Sequence, residues 1–508
     1  MDTISSSRLR IPLIAASSTF ALHLVGNPHY GFFRDELYLI ICGQHPQWGY
    51  VDQPPVTPLL SAGTQLFGHS LVLLRAVPAF FAAAAVYVTC LLAEELGGGA
   101  FAQVLGALCV FFSPVLMNFG MKVSPDTPGL LLWLLAALYT LRLAKGADPR
   151  WWLAVGAAMG VAVQSKYTAV FLLAALLLGL LWSRERKILF SRWFLAGCAV
   201  CVLIALPNFL WQAHYGFPML ELLRNGQHGK NIIVGPVQYF FQQLLINNLF
   251  LSVVWIIGLG WLLSHARLRF LGYTYIILMT FMVALHGKHY YPADVYPYLM
   301  AAGGVAIEAW TPRWKVLKPA LATAAVLLGL VFVPFSMPIL SEPHMASYQE
   351  WLFGILHLPR QSVATEHGRM ATLPQDWADM HGWPELAATV AGVYQSLPPG
   401  DRAQAAIVAS NYGEASAIDF FGQQYHLPPV ISGHNQYFLW GTQGFSGNVI
   451  IDVAGDCGAR EHLFASSERA ATFSAPWVMP YEDSIPLMVC RGIRKPLAEL
   501  WPSVKVYR

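Results

Sequence analysis

Charge is scarce in this chain. Only 12% of its 508 residues are Asp, Glu, Lys or Arg, against 56% hydrophobic. The mean hydropathy of +0.48 is too apolar for an ordinary soluble protein. The chain therefore reads as a polytopic α-helical membrane protein. It has no long basic face: the net charge is +3 and the Lys and Arg residues fall in short loops, which argues against a nucleic-acid partner. It has seven cysteines, but no CxxC or Cys/His cluster suggests zinc: Cys90, Cys109, Cys198 and Cys201, the last two in CxxC spacing, sit in apolar runs as packing residues. Acidic residues are nearly absent from the middle of the apolar runs, where a proton-coupled transporter would place them. Asn247 and Asn248 are the best mid-run polar pair. There is neither an internal repeat nor a low-complexity linker. The N-terminus also lacks a small-x-small cleavage site, so Arg8 and Arg10 before the stretch Ile11–Val25 introduce an uncleaved first span.

What is present is a series of apolar runs. A helix needs about 20 mainly apolar residues to cross the hydrocarbon core, fewer where protein shields its ends. Candidate spans are 11–28, 72–93, 100–118, 126–143, 151–165, 167–183, 193–212, 239–263, 270–286, 292–309 and 319–338, giving eleven crossings, with Lys166 alone separating the two shortest. Basic residues set direction. With the N-terminus inside, the cytoplasmic segments hold Arg8 and Arg10; Arg142, Lys145 and Arg150; Arg184, Arg186, Lys187 and Arg192; Arg267 and Arg269; and Arg313, Lys315 and Lys318. The opposite loops hold only Arg34, Lys122, Lys166, Arg224, Lys230 and Lys288. An odd number of crossings then puts residues 339–508 outside, where Cys457 and Cys490 are free to form a disulfide. The chain divides into a transmembrane part, 1–338, and a water-soluble part, 339–508, of ordinary domain size. In the latter, helix-like Pro384–Ser396, strand-like Ala405–Ser410, helical Glu414–Gly422, the segment Pro429–Ser432 and strand-like Asn448–Val453 suggest a small α/β layer fold.

The outward loops carry the chemistry. The first, 29–71, interleaves aromatics with charge in Phe32-Phe33-Arg34-Asp35-Glu36-Leu37-Tyr38 and continues through Tyr50-Val51-Asp52-Gln53-Pro54-Pro55, which suits a helix lying in the membrane interface. A pair such as Asp35 and Glu36 equally suits the capping or solvation of a surface helix. The next outer turn, Met121-Lys122-Val123-Ser124-Pro125-Asp126, sets a cation and a carboxylate just before a span, where ionisable groups are costly unless paired or functional; it is also good capping chemistry. Between spans nine and ten, Lys288, Tyr290 and Tyr291 suit an anionic group or an aromatic belt. Carboxylates beside cations at one face are what transfer from a lipid phosphate requires: a base for the incoming hydroxyl and positive charge for the leaving phosphate.

An acidic pair in a long first outer loop, Asp52-Gln53-Pro54-Pro55, Leu66-Phe67-Gly68, Arg75-Ala76-Val77-Pro78, Pro125-Asp126 before the fourth span, and the Gly287-Lys288 to Tyr296-Pro297 run together resemble the GT-C glycosyltransferases. The likeness is to the branch containing the protein O-mannosyltransferases and the lipid A aminoarabinose transferases, and it covers roughly residues 30 to 310. It implies a polyprenyl-phosphate sugar donor and a bacterial plasma membrane location. It also implies catalytic roles for Asp35, its neighbour Glu36 and Asp126, and a donor-phosphate region at Lys288, Tyr290 and Tyr291. The lysine of the Asp-Lys-Pro-Pro common in the aminoarabinose branch is Gln53 here, which leaves Lys122 or Arg34 to substitute for it. In the soluble part, Glu414 and His434 follow strands and are candidates for an acceptor site, although loop and cap roles suit them as well. The resulting expectation is an inverting glycosyl transfer at the extracytoplasmic face onto a lipid, glycan or protein hydroxyl. Mg²⁺ or Mn²⁺ is suited by the acids and hydroxyls but not demanded. The competing classes are a flippase for lipid-linked sugars and a membrane-anchored sensor.

Overall fold

The computed structural model describes residues 9–229, 235–312, 314, 316–357, 369–454, 457 and 461–508. Arg8, Lys230, Arg313 and Lys315, which entered the charge count, lie outside them.

Every expected apolar run is helical. In chain order the helices are α1 Arg10–Gly26, α2 Arg34–Gln44, α3 Val56–Thr64, α4 Leu71–Glu95, α5 Ala100–Phe111, α6 Pro114–Met121, α7 Asp126–Ala144, α8 Trp151–Val163, α9 Ala169–Leu181, α10 Arg192–His214, α11 Pro218–Gly229, α12 Pro236–Ile246, α13 Ser252–Ser264, α14 Arg269–Ala284, α15 Tyr296–Trp310 and α16 Leu317–Leu330. Among the described residues, α4, α7 and α10 are long and apolar enough to cross a membrane singly, and α5 with α6 forms a pair bent by 69°. Six others (α1, α8, α9, α13, α14 and α16) are apolar but shorter.

Two expected spans are broken, for local reasons. Pro114 begins α6 because it supplies no amide to continue α5, and Ser113 Oγ turns instead to Asn247 Oδ1 at 3.1 Å. The run 239–263 breaks between α12 and α13, where Asn248 takes a left-handed φ of 68°. Asn247 Nδ2 donates to the Gln243 carbonyl at 3.0 Å, and Asn248 Nδ2 to the carbonyls of Phe112 and Leu328. The polar pair singled out as a hint of a transport path therefore satisfies backbone freed at helix breaks, as an apolar setting requires. Close backbone approaches use glycine: a Cβ on Gly258 would stand 1.9 Å from the Leu299 carbonyl oxygen of α15.

The C-terminal part adds α17 Glu342–Leu356, α18 Gln375–Ala378, α19 Trp383–Ser396, α20 Pro399–Arg402 and α21 Tyr412–Phe421 around a five-stranded sheet. Its strands are β1 Ala405–Ala409, β2 Val430–Ile431, β3 Val449–Val453, β4 Ser466–Phe473 and β5 Ile485–Arg491, in the order β2-β1-β3-β5-β4. β1 runs parallel to β2 and β3, with Ile407 beside Val430 and Ile451, while β5 is antiparallel to both β3 and β4. A disulfide joins Cys457 to Cys490 of β5.

One expectation is corrected here. Helix α2 is not an interfacial helix with its tips in water: Leu37 to Gly43 are all buried. Its apolar residues Leu37, Ile40 and Ile41 join one hydrophobic core with Ile407, Ile418 and Val430 of the C-terminal part. The Phe32 ring meets the Phe420 ring at 5.0 Å. The first loop is thus a layer clamped between the helical bundle and the sheet, and burial of its apolar face explains why it is ordered there.

Candidate functional site

The polar residues of the loops leading into α2, α7 and α15 meet where this clamped layer joins the sheet. At the start of α2 the chain presents three consecutive charges, and the fold gives each a different environment. Arg34 keeps only 11% of its side chain exposed; Nη1 donates to the Tyr481 hydroxyl at 3.1 Å, Nη2 lies 3.6 Å from the Asp379 carboxylate, and its stem packs against Gly413, where a Cβ would clash. Asp35 is the carboxylate left accessible, with 42% of its side chain exposed. It accepts a 2.8 Å hydrogen bond from the Tyr412 hydroxyl of α21.

Glu36 is fully buried. Its oxygens accept from Arg75 Nη2 at 2.9 Å, Arg75 Nε at 3.2 Å, the Phe33 amide at 2.9 Å and the Val123 amide at 3.1 Å. Arg75, equally buried, spends its remaining donors on the carbonyls of Asn27, His29 and Gly31. Glu36, for which a catalytic role was expected, has both oxygens taken up by these donors, and it is a bracket that ties the first loop, the second loop and α4 together.

Asp126 opens α7 and forms an ion pair with Lys166, whose ammonium also lies over the rings of Tyr290 (4.9 Å) and Tyr291 (4.7 Å). Lys122 pairs with Asp376 at 2.7 Å and stands 4.0 Å over the Phe33 ring. Burial pushes the Asp376 carboxyl up, but Lys122 and a 2.8 Å bond from Asn118 outweigh it and hold the group below its ordinary value. Lys288 sits in the same turn as the tyrosines, its carbonyl bonded by the Tyr239 hydroxyl at 3.1 Å.

Asp52 is placed beside this group, accepting from the Tyr38 hydroxyl at 3.0 Å and Asn435 Nδ2 at 3.2 Å; burial pushes its carboxyl up to about 6. Gln53 is buried, and its side chain turns toward Cys42. The rings of Tyr38 and Tyr412 meet 4.6 Å apart at a tilt of 35°, and the Tyr412 ring lies 5.1 Å from that of His434. His434 Nδ1 in turn accepts from the Tyr412 amide at 3.2 Å.

Beyond Tyr412 opens a cleft of about 600 Å³. It lies past the C-terminal ends of β1 and β3, with Arg34, Tyr412, Glu414, His434, Tyr481 and Glu482 among its lining residues. Glu414 accepts from both the amide and hydroxyl of Ser410 at 2.9 Å, and burial pushes its carboxyl up to about 7.

The structure therefore brings Arg34, Asp35, Asp52, Glu414 and His434 to the junction of loop and sheet, and Asp126, through Lys166, beside Tyr290 and Tyr291, with Lys122 on Asp376. Sequence reasoning missed Lys166, Tyr412, Asp376 and Glu482. For Lys166 a signal existed, since it is a lone lysine between two apolar runs. For Tyr412 and Asp376 the partner lies hundreds of residues away, and for Glu482 it lies 71 residues away at Asn411. Also unforeseen is Asp294, buried near Asp126, whose Oδ1 finds no donor among the described residues.

Residues 52–211 match the family described as dolichyl-phosphate-mannose-protein mannosyltransferase. No curated protein sequence matches the chain. Among solved structures, ArnT from Cupriavidus metallidurans bound to undecaprenyl phosphate superposes with a TM-score of 0.63 at 15% identity, covering 94% of this chain and 97% of that one. The apo state of the same protein gives 0.63 at 16% identity, covering 96% and 98%. Arabinofuranosyltransferase AftD from Mycobacteria gives 0.51 at 12% identity, covering 96% of this chain and 40% of that one. At these identities the likeness is one of fold.

Proposed function

We propose, on the premise that this chain has the fold of the GT-C glycosyltransferases, that it moves a sugar from a polyprenyl-phosphate donor onto an acceptor hydroxyl at the extracytoplasmic face of a bacterial plasma membrane. The observation that carries the reading is the position of Asp35. Among the acids of the two catalytic loops it combines exposure with a fixed orientation, standing between the cation group of the bundle and the cleft of the soluble part.

Asp35 removes the proton of the acceptor hydroxyl as that oxygen attacks the anomeric carbon, and the lipid phosphate leaves from the opposite side with inversion. A general base of this kind contributes about 10²–10⁴-fold. Lys166 replaces the lysine that Gln53 does not supply, and with Lys122, Lys288 and the hydroxyls of Tyr290 and Tyr291 it neutralises the departing phosphate. Asp126 holds the Lys166 ammonium in place until the donor arrives. Arg34 anchors the loop that carries Asp35. Glu36 positions that loop through Arg75, and Asp52 fixes Tyr38 under Tyr412. Among the described residues no group of three or more His, Cys, Asp or Glu is arranged to hold a metal ion, and the reading assigns no step to a cation.

The acceptor enters through the cleft beside Glu414 and His434. The experiment is reconstitution of the purified protein in liposomes with synthetic polyprenyl-phosphate sugars in the outer leaflet only and host lipid and glycan extract as acceptor. Covalent sugar transfer with release of polyprenyl phosphate is expected. Movement of the intact donor across the bilayer, with the sugar-phosphate bond unbroken, would replace this reading with the flippase.

A further inference from the structure

Two acids in the cleft are built unlike the others. Glu414, on α21, is 2% exposed and Glu482, in the loop before β5, is 4% exposed. Glu482 Oε1 accepts a long 3.4 Å bond from Asn411 Nδ2, whereas its Oε2 lines the cavity with no N–H or O–H donor among the described residues. The two buried carboxyls act on one another, which favours a proton held by the pair. Burial pushes both up, and the Glu414 charge adds to the rise at Glu482.

Arg34 is the cation whose charge reaches this pair, at Glu482, and it is shared with other acids. Arg34 is engaged by Asp379 and Asp35, and Asp483 adds a further carboxylate at the rim. His434 presents an unprotonated Nδ1 to the Tyr412 amide, and the Tyr481 hydroxyl accepts from Arg34. Arg508 is exposed at the cleft edge.

We infer that the cleft recognises an acceptor bearing a primary amine, an unacetylated amino sugar, whose ammonium seats between Glu414 and Glu482. This rests on reading the cleft as the acceptor site. An ammonium brings three donors to a place that holds an unmatched acceptor oxygen. It also lets both carboxyls ionise, so the shared proton leaves to solvent. An N-acetyl group in the same position has one N–H and no charge and leaves that proton where it is. A volume of about 600 Å³ lies within the range of small-ligand sites, about 300–1,000 Å³, and the cleft opens beside the Tyr412 hydroxyl that holds Asp35. An amino sugar bound there therefore has its own hydroxyls near the base.

The test is calorimetry on the full chain in detergent at pH 7, with a glucosamine tetramer and its fully N-acetylated counterpart as probes, in two buffers of different ionisation enthalpy. The amine probe should bind at least about tenfold more tightly and release about one proton per site. Glu414→Gln and Glu482→Gln should each abolish that preference while retaining the thermal transition. Equal affinity for the two probes, no binding of either, absence of proton release, or a preference surviving in both variants would overturn the inference. Should a variant fail to fold, the comparison of the two probes on the unaltered protein decides alone. Asp35→Asn should bind the amine probe as the unaltered chain does. Lost transfer with retained binding therefore bears on the base, whereas retained transfer without amine preference bears on the cleft.

Discussion

The two ends of the helical bundle handle charge in opposite ways. At the end away from the sheet, Glu95 meets Arg142 at 3.3 Å and Lys145 at 3.1 Å, and Glu308 meets Lys318 at 3.6 Å, with side chains between 19% and 45% exposed. Such pairs sit in water and contribute about 0–1 kcal/mol each. At the end facing the sheet, Arg75 and Glu36 are wholly buried, and Lys166, Asp126 and Lys122 nearly so. Taking those groups out of water is expensive, so each has a partner, and the partner comes from a different loop. Charge at the far end closes helices, whereas charge at the near end fixes the relative positions of four loops around Asp35.

That contrast can be broken from its strong side first. Removing one member of the buried pair, by Glu36→Gln or Arg75→Met, should cost about 3–5 kcal/mol because the other charge stays buried and alone. Thermal unfolding in detergent reads this directly, and a shift no larger than that of Glu95→Gln would erase the difference between the two ends. Next, Lys166→Met should weaken donor binding about 10–100-fold, corresponding to about 1.4–2.7 kcal/mol for a lost charge-assisted contact. Binding of a polyprenyl phosphate to the purified protein measures it. Tyr412→Phe removes one hydrogen bond to a carboxylate and should lower kcat by about tenfold, since bonds to charged groups contribute about 1.5–3 kcal/mol. Unchanged KM for the donor would separate this from a loss of folding.

A smaller effect concerns pH. The folded Glu414 carboxyl keeps its proton up to about pH 7, whereas an unfolded one releases it near the ordinary glutamate value of about 4.3. A raised carboxyl stabilises fully below the unfolded value, and its contribution is lost as pH rises through 7. The melting temperature should therefore fall between pH 5 and pH 8, and Glu414→Gln should flatten that decline. At the far end, Arg142→Ala should change stability by less than about 1 kcal/mol.

The helical part was legible in the sequence because its apolar runs are long and its basic residues are asymmetric. Helices α4, α7 and α10 lie within two residues of their expected bounds. The strands β1 and β3 were legible as short β-branched runs. β4 was not: Ser466–Phe473 is largely exposed and carries no apolar alternation, so nothing local marks it as a strand. The breaks at Ser113 and Asn247 were hidden inside continuous hydropathy, because hydropathy counts side chains and the break is a matter of backbone hydrogen bonds.

The site was legible in part. Asp35 and Asp126 could be found as acids at outer span ends, but nothing local distinguishes the exposed Asp35 from the saturated Glu36 beside it. The distinction arises from Arg75, Val123 and Tyr412, which come from three other segments. The same holds for Glu482, a residue in a polar loop until the fold sets it against Glu414.

The most direct measurement of the central claim is single-turnover sugar transfer by Asp35→Asn in the folded, donor-binding protein. The account predicts a loss of at least about 10²-fold with donor affinity retained. Turnover close to that of the unaltered chain would contradict it.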